Sequence, residues 1–323
     1  MNTSIIIWVV AILIVLGIAF GIYFAMDQKS RNIFTDKYLL QRGMGKPVIW
    51  LYYDNSDVNS RWWADFGARS SRVLNIPFLN LCYESIVSHN KDNYRVEVIS
   101  GLSGVAELLG GWDYLPPGLR DSIAPVNQAE LNYIRSAVLA KYGGLWLDPF
   151  SICIKGFGKL PSDKIVFFGT DLDESYAGQN GTSVPGMKAI WSPKPAEPLF
   201  VEWTDICYKR VAEARGGQQI RGDAKWDFVA LSSKYPGVEI RPSAEGARKK
   251  GGKRIQLDDL LSSGMGKNIP FSVGSEVVYI PIMWTELRDR EQFQWFLRMS
   301  EEQIMDSDLA VKHLFDKAMI VSV

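Results

Sequence analysis

The sequence is poor in the residues that enzymes most often use for proton shuttling and metal binding. Its only histidines are His89 and His313, too few for a His-based metal cluster. No G-x-S-x-G elbow accompanies them, which sets aside a Ser-His-Asp hydrolase. There is no G-x-x-x-x-G-K-[ST] phosphate loop and no G-x-G-x-x-G dinucleotide fingerprint, so kinases, P-loop ATPases and ordinary dehydrogenases leave the front rank. Cys82, Cys153 and Cys207 are odd in number and far apart, with neither a disulfide nor a zinc-ligand rhythm. An excess of either charge is also missing: Lys plus Arg and Asp plus Glu stand at 36 each, which gives no nucleic-acid signature. No internal repeat and no low-complexity tract interrupts the chain.

One segment lacks charge altogether. Ser4 to Met26 is a run of 23 apolar and small residues, SIIIWVVAILIVLGIAFGIYFAM. At a rise of about 1.5 Å per residue such a helix spans a bilayer core of about 30 Å. The run is too long for a signal peptide, has no basic segment before it and no A-x-A-like site after it. Trp8 and Tyr23 near its ends suit the two membrane interfaces. It reads as a transmembrane helix over 4–26. Lys29, Arg31 and Lys37 follow it and no basic residue precedes it, so the positive-inside rule puts the bulk of the chain on the cytoplasmic side. The sequon at Asn180 would be usable only in a secretory lumen, and such triplets arise by chance. Residues 27–45 are polar and mixed, a juxtamembrane linker, and 46–323 is long enough for one large domain.

Within that domain Pro47–Tyr53 (PVIWLYY) predicts a buried strand, 60–73 a helix, and Tyr94–Ile99 (YRVEVI) a second strand. This order indicates a βαβ unit and hence a parallel sheet. The most informative stretch is NQAELNYIRSAVLAKYGGLWLDPFSIC, Asn127–Cys153. Asn127 and Glu130 have capping-box spacing, and Leu131, Ile134, Val138 and Tyr142 repeat as a helical stripe. Asn132 and Arg135 project from a neighbouring face. Gly143-Gly144 ends the helix, and Leu145–Leu147 forms a short strand that delivers Asp148, with Pro149 disturbing regular pairing just beyond. A carboxylate at the carboxyl edge of a parallel sheet stands where open α/β sheets bind ligands. A cation, a carboxylate and an amide together suit a phosphorylated, hydroxyl-rich ligand. Asp148 also suits a turn cap, and Tyr52 and Tyr53 equally suit core packing. Ile165–Gly169 predicts a further strand, 198–214 and Asp308–Ala318 helices, and Arg248–Arg254 a basic, glycine-containing loop.

The run A-E-L-N-Y-I-R-S-A-V-L-A-K-Y-G-G-L-W-L-D resembles the hallmark of sugar transferases with a D-x-D motif, among them the capsular polysaccharide synthesis type and glycosyltransferase family 32. VIWLYYDN at 48–55 is similar to the opening strand of the capsular type. Thr182–Phe200 is similar to the segment in which that type presents an acceptor-side loop. The resemblance covers roughly residues 46–215 and is most specific in its R-x(7)-G-G-x-W-x-D core. It implies a GT-A-like, Rossmann-related fold with a mostly parallel central sheet, a nucleotide-diphospho-sugar donor, a divalent metal (Mn²⁺ or Mg²⁺) and transfer with retention. By position, Asp148 would contact the ribose, the metal or both, and Arg135 the donor sugar or its diphosphate. Tyr53 would stack on the base, with Tyr52 or Trp50 its substitutes, while Asn132, Gly143 and Gly144 complete the donor site.

Two departures stand out. The Asp expected three residues before Arg135 is Asn132, which brings hydrogen bonds but no charge. The second Asp of D-x-D falls at Phe150, which cannot ligate a metal. Asp171, Asp173 or Ser151 would then supply oxygen ligands, or the basic loop would neutralise the diphosphate. The expected activity is hexosyl transfer to a glycan or lipid-linked acceptor. The alternative is a catalytically inactive nucleotide-sugar- or glycan-binding membrane subunit of a polysaccharide assembly system.

Overall fold

The apolar run PVIWLYY becomes β1 (Val48–Tyr53), a strand whose residues from Ile49 onward are all buried. Burial on both faces is what a strand inside a parallel sheet requires, and it explains an apolar run without alternation. The computed structural model describes residues 45–54, 76–120, 126–170, 184–213, 224–249, 251–264 and 269–319. Gly45–Val323 packs as one compact unit. The apolar run 4–26, the linker up to residue 44, the helix expected at 60–73, the sequon and both Asp171 and Asp173 lie outside the described residues. Among the described residues no helix is long and apolar enough to cross a membrane.

β1 pairs in parallel with β2 (Arg95–Ser100) on one side and β3 (Gly144–Leu147) on the other. Beyond β4 (Ser151–Cys153) come β5 (Ile165–Thr170), β6 (Pro185–Ser192) and β7 (Val238–Arg241). The main sheet has the order β2-β1-β3-β6-β5-β7. β6 runs antiparallel to both its neighbours, and every other pairing in that sheet is parallel. The fold is mixed α/β with a mostly parallel central sheet and flanking helices.

Side chains alternate across a strand, so β1 serves two cores. Trp50 and Tyr52 join one core with Trp146, Ile190 and Phe167, covered by α2 (Gly101–Leu109), α3 (Gln128–Tyr142), α4 (Pro198–Glu213) and α5 (Ala224–Lys234). Tyr53 faces the other side, where α1 (Phe78–Asn90) packs against β4 and the helix Ala310–Met319. α1 was not foreseen in the sequence. Its buried stripe runs through Phe78, Leu81, Cys82, Ser85 and Ile86, and the polar Ser85 disguises it. Ser85 is satisfied there, donating to the Cys82 carbonyl at 2.6 Å and accepting from the Cys153 N–H at 3.0 Å.

α3 begins as expected. The Asn127 side chain accepts from the Ala129 and Glu130 N–H groups, and Glu130 Oε2 accepts from the Asn127 N–H at 2.8 Å. Such a cap contributes about 1 kcal/mol. The expected one-sided stripe is broader than predicted: residues 132–139 are all buried, because α3 lies between the sheet and α4. Tyr142, the stripe's expected last member, is instead 38% exposed.

The helix ends at Gly143 with φ 65° and ψ −158°, a conformation open to glycine rather than the left-handed cap. A Cβ at Gly143 would lie 2.8 Å from the Lys194 carbonyl carbon, and one at Gly144 only 2.6 Å from the Val48 carbonyl oxygen. Trp50 Nε1 closes the turn by donating to the Gly143 carbonyl at 2.9 Å. A second correction concerns 185–192, expected as part of an acceptor-side loop. It is the antiparallel strand β6, buried at every position but Lys188.

Gly144→Ala therefore forces apart β1 and the α3–β3 turn. We expect it to lower the unfolding free energy by more than about 1 kcal/mol, read from urea denaturation. Gly143→Ala acts in the same direction.

Candidate functional site

β3 ends by delivering Asp148 where Pro149 halts the pairing. One step past the last paired residues, Leu147 and Ala189, the Asp148 N–H donates to the Lys188 carbonyl at 2.7 Å. Its carboxylate accepts from the Phe150 N–H at 3.0 Å. Asp148 is thus both the turn cap and the carboxylate at the strand's end. Because β3 and β6 are antiparallel, Asp148 and Lys188 are cross-strand neighbours.

Lys188 Nζ lies 3.3 Å from Glu245 Oε1. The Glu245 side chain is 7% exposed and fits against Gly169 and Gly186, where Cβ atoms would stand 1.8 and 3.1 Å from its Oε2. Arg135, on α3, is 4% exposed. Its Nη1 donates to the Met187 carbonyl, one residue from Lys188, and its guanidinium lies 5.9 Å from the Trp146 ring centroid. That bond ties helix α3 to strand β6 directly behind the lysine.

Burial pushes the Asp148 carboxyl above the ordinary carboxylate range. The Phe150 N–H, Lys188 and Arg135 pull it back down, and the nearby Glu245 adds to the rise. The site therefore holds a carboxylate at a cost, and its cations only partly offset that cost. Burial raises the thiols of Cys82, Cys153 and Cys207 as well. All three cysteines are free and buried, which makes them packing groups rather than nucleophiles.

A cleft of about 160 Å³ opens beside these groups, lined among others by Lys188, Glu245, Gly246, Arg254 and Met283. Arg254 reaches it from the basic run and donates through Nη2 to both the carbonyl and, at 2.8 Å, the hydroxyl of Thr170. The rest of that run is partly folded. Arg248–Lys249 pairs with Phe271–Ser272, and Lys249 Nζ meets Asp259 at 2.8 Å. A larger, open hollow of about 550 Å³ beside Lys159, Lys164 and Glu239 contains none of the site residues.

The structure brings Asp148 and Arg135 together and separates the other expected site residues. Tyr52 and Tyr53 point to opposite faces of β1, so one ligand cannot rest on both. Tyr52 packs against Trp146 under α3. Tyr53 is 1% exposed, with its ring edge-on to Phe150, so its ring is enclosed by protein rather than open to a base. Gly143 and Gly144 stand at the amino end of β3, three residues of strand away from Asp148, where they permit close backbone approach. Asn132 is buried and its Oδ1 accepts from Gln128 at 3.2 Å.

The described residues contain no cluster of three His, Cys, Asp or Glu side chains able to hold a divalent metal, and the expected ligands Asp171 and Asp173 lie outside them. Phe150, at the motif's second carboxylate position, stacks on Trp284 at 4.6 Å and 4°. Ser151 Oγ is buried without a partner among the described residues, and a single hydroxyl is a weak ligand set. Lys188 and Glu245 escaped the sequence reading, whereas Arg254 belongs to the basic loop expected to neutralise the diphosphate. A lone lysine inside the apolar stretch PGMKAIWS was the one local signal; nothing local marks Glu245.

No protein-family model matches the chain, and neither does any curated protein. Among the solved structures that match is a crystal structure of an active-site mutant of LgtC. It has 13% identity over 77% of this chain and 93% of that chain, with a TM-score of 0.36. At that score the likeness carries no weight in the argument.

The raised Asp148 pKa has a consequence for stability. The folded state holds this proton more tightly than the unfolded state, so stability falls as pH rises from the ordinary carboxylate range through the raised value. Asp148→Asn keeps an acceptor for the Phe150 N–H and removes the buried charge. We expect its thermal midpoint to exceed wild type at pH 7, with the gain shrinking as pH falls into the ordinary carboxylate range.

Proposed function

We propose that the chain is a membrane-anchored glycosyltransferase with a GT-A-like domain, moving a hexosyl group from a nucleotide-diphospho-sugar to a glycan or lipid-linked acceptor with retention. The observation that carries this reading is the fold of the R-x(7)-G-G-x-W-x-D segment. Helix, glycine turn and strand follow in order and end with Asp148 at the carboxyl edge of a mostly parallel sheet, beside Lys188 and a cleft. Ligands of open α/β sheets bind at that edge. Anchoring through 4–26, with the domain on the cytoplasmic side, belongs to the same proposal and rests on the sequence.

In this reaction the bond from the anomeric carbon to the diphosphate oxygen breaks, and both electrons leave with the phosphate. The acceptor hydroxyl oxygen takes the vacated bond on the same face, and its proton passes to the departing phosphate oxygen. Negative charge grows on the departing oxygen, so fixed cations at the sheet edge stabilise the transition state more than the ground state. Asp148 orients the sugar or ribose hydroxyls as an acceptor. Arg135, committed to Met187, acts by holding β6 in place. The inactive binding subunit is the second reading, favoured by the aromatic stack at Phe150.

The test uses the purified full-length chain in detergent with a panel of UDP-, GDP- and dTDP-sugars, following nucleotide release. We expect release from one donor class, falling at least about 100-fold in Asp148→Asn. Saturable donor binding with no release, acceptors included, would favour the inactive subunit. Absence of any donor binding would sink both.

A further inference from the structure

We propose that Lys188 takes the place of the divalent metal, so that with Arg254 it binds the donor's diphosphate without a metal ion. The inference rests on the donor reading above and concerns how that donor is held.

Three observations converge on it. First, the position that should carry the motif's second carboxylate holds Phe150, stacked on Trp284 at 4.6 Å, which offers a metal no oxygen ligand. Second, a cation already stands beside the first carboxylate. Lys188 lies opposite Asp148 across the β3–β6 seam, lowers the Asp148 pKa, and meets Glu245 at 3.3 Å. An ammonium paired with Glu245 and acting on Asp148 through space supplies positive charge there, and it repels a second cation brought to the same place. Third, Lys188 opens onto the cleft of about 160 Å³ together with Arg254. The Lys188 side chain is 34% exposed, and an ammonium has three donors, of which Glu245 takes one.

The charge count supports an anionic ligand. Lys188, Arg254 and Arg135 oppose Asp148 and Glu245, which leaves one net positive charge before a diphosphate arrives. Arg254 is already oriented by its two bonds to Thr170, so its planar fork loses little freedom on meeting a phosphate. Glu245 is held in its notch by the absence of side chains at Gly169 and Gly186, and it holds Lys188 in turn. No bond is made or broken in this step; it is binding by fixed cations.

The experiment is calorimetric titration of the full-length chain with inorganic pyrophosphate, UDP, GDP and dTDP, each in EDTA and in Mn²⁺. We expect binding in EDTA, with Mn²⁺ changing the affinity less than about threefold. Lys188→Met, which keeps the aliphatic stem, and Arg254→Gln should each weaken it at least about tenfold. Lys188→Arg should restore most of it. Thermal midpoints of all variants separate a lost charge from a lost fold, and the Lys188→Arg rescue holds the proposal to account if Lys188→Met unfolds. Binding that requires Mn²⁺, or that survives Lys188→Met in a folded protein, overturns the proposal and leaves the donor reading standing. Failure of every probe to bind overturns both.

Discussion

One strand runs the wrong way, and the site depends on it. In a parallel pair the hydrogen bonds slant and neighbouring residues are staggered, whereas an antiparallel pair sets residues face to face. Had β6 run parallel to β3, nothing would hold Lys188 opposite Asp148. With β6 antiparallel, the Asp148 N–H closes onto the Lys188 carbonyl, and the two side chains become direct neighbours. Arg135 secures the arrangement from the helix side through the Met187 carbonyl. A helix and a strand end thus meet β6 within a few residues, each tied to a β6 backbone carbonyl by a hydrogen bond that does not depend on a ligand.

The same place is the least favourable electrostatically. Desolvation raises the Asp148 carboxyl despite two cations and a backbone donor, and Glu245 adds a second buried acid. Packing elsewhere supports the cost. The strands around the site bury nearly every side chain, and Trp203, Phe228 and Phe200 form a contiguous aromatic core beneath them. Net stability is a small remainder of large opposing terms, so a site of this kind survives only where the scaffold holds its geometry firmly. Charges kept against their own preference are what a binding site needs, because a ligand of opposite sign then gains more than it would from solvent-relaxed groups.

Much of this was legible along the chain, and the boundary between legible and hidden follows sequence distance. The capping box at Asn127, the glycine turn at 143–144, the short strand and Asp148 at its end are all set by neighbours within a few residues. Tyr52 and Tyr53 show where local reasoning stops: alternation alone says that they diverge, yet only the packing of Phe150 and Trp146 shows that both rings are enclosed. Lys188 required the register of β6 against β3, and the resemblance had put that stretch in an acceptor-side loop. Glu245 is 57 residues from Lys188, and no periodicity links them. α1 was concealed by Ser85, whose buried hydroxyl is satisfied by β4, a partner 68 residues away.

The two departures from the sugar-transferase motif gain a common physical reading. At Phe150 the ring lies flat on Trp284 and is flanked by Tyr53 and by Phe78, which is itself fully buried. Phe150 itself is half-buried, and its ring offers a cation no ligand oxygen there. Asn132 likewise brings no charge to α3. On the proposed donor reading, the positive charge at this edge comes from Lys188, set across the β3–β6 seam from Asp148.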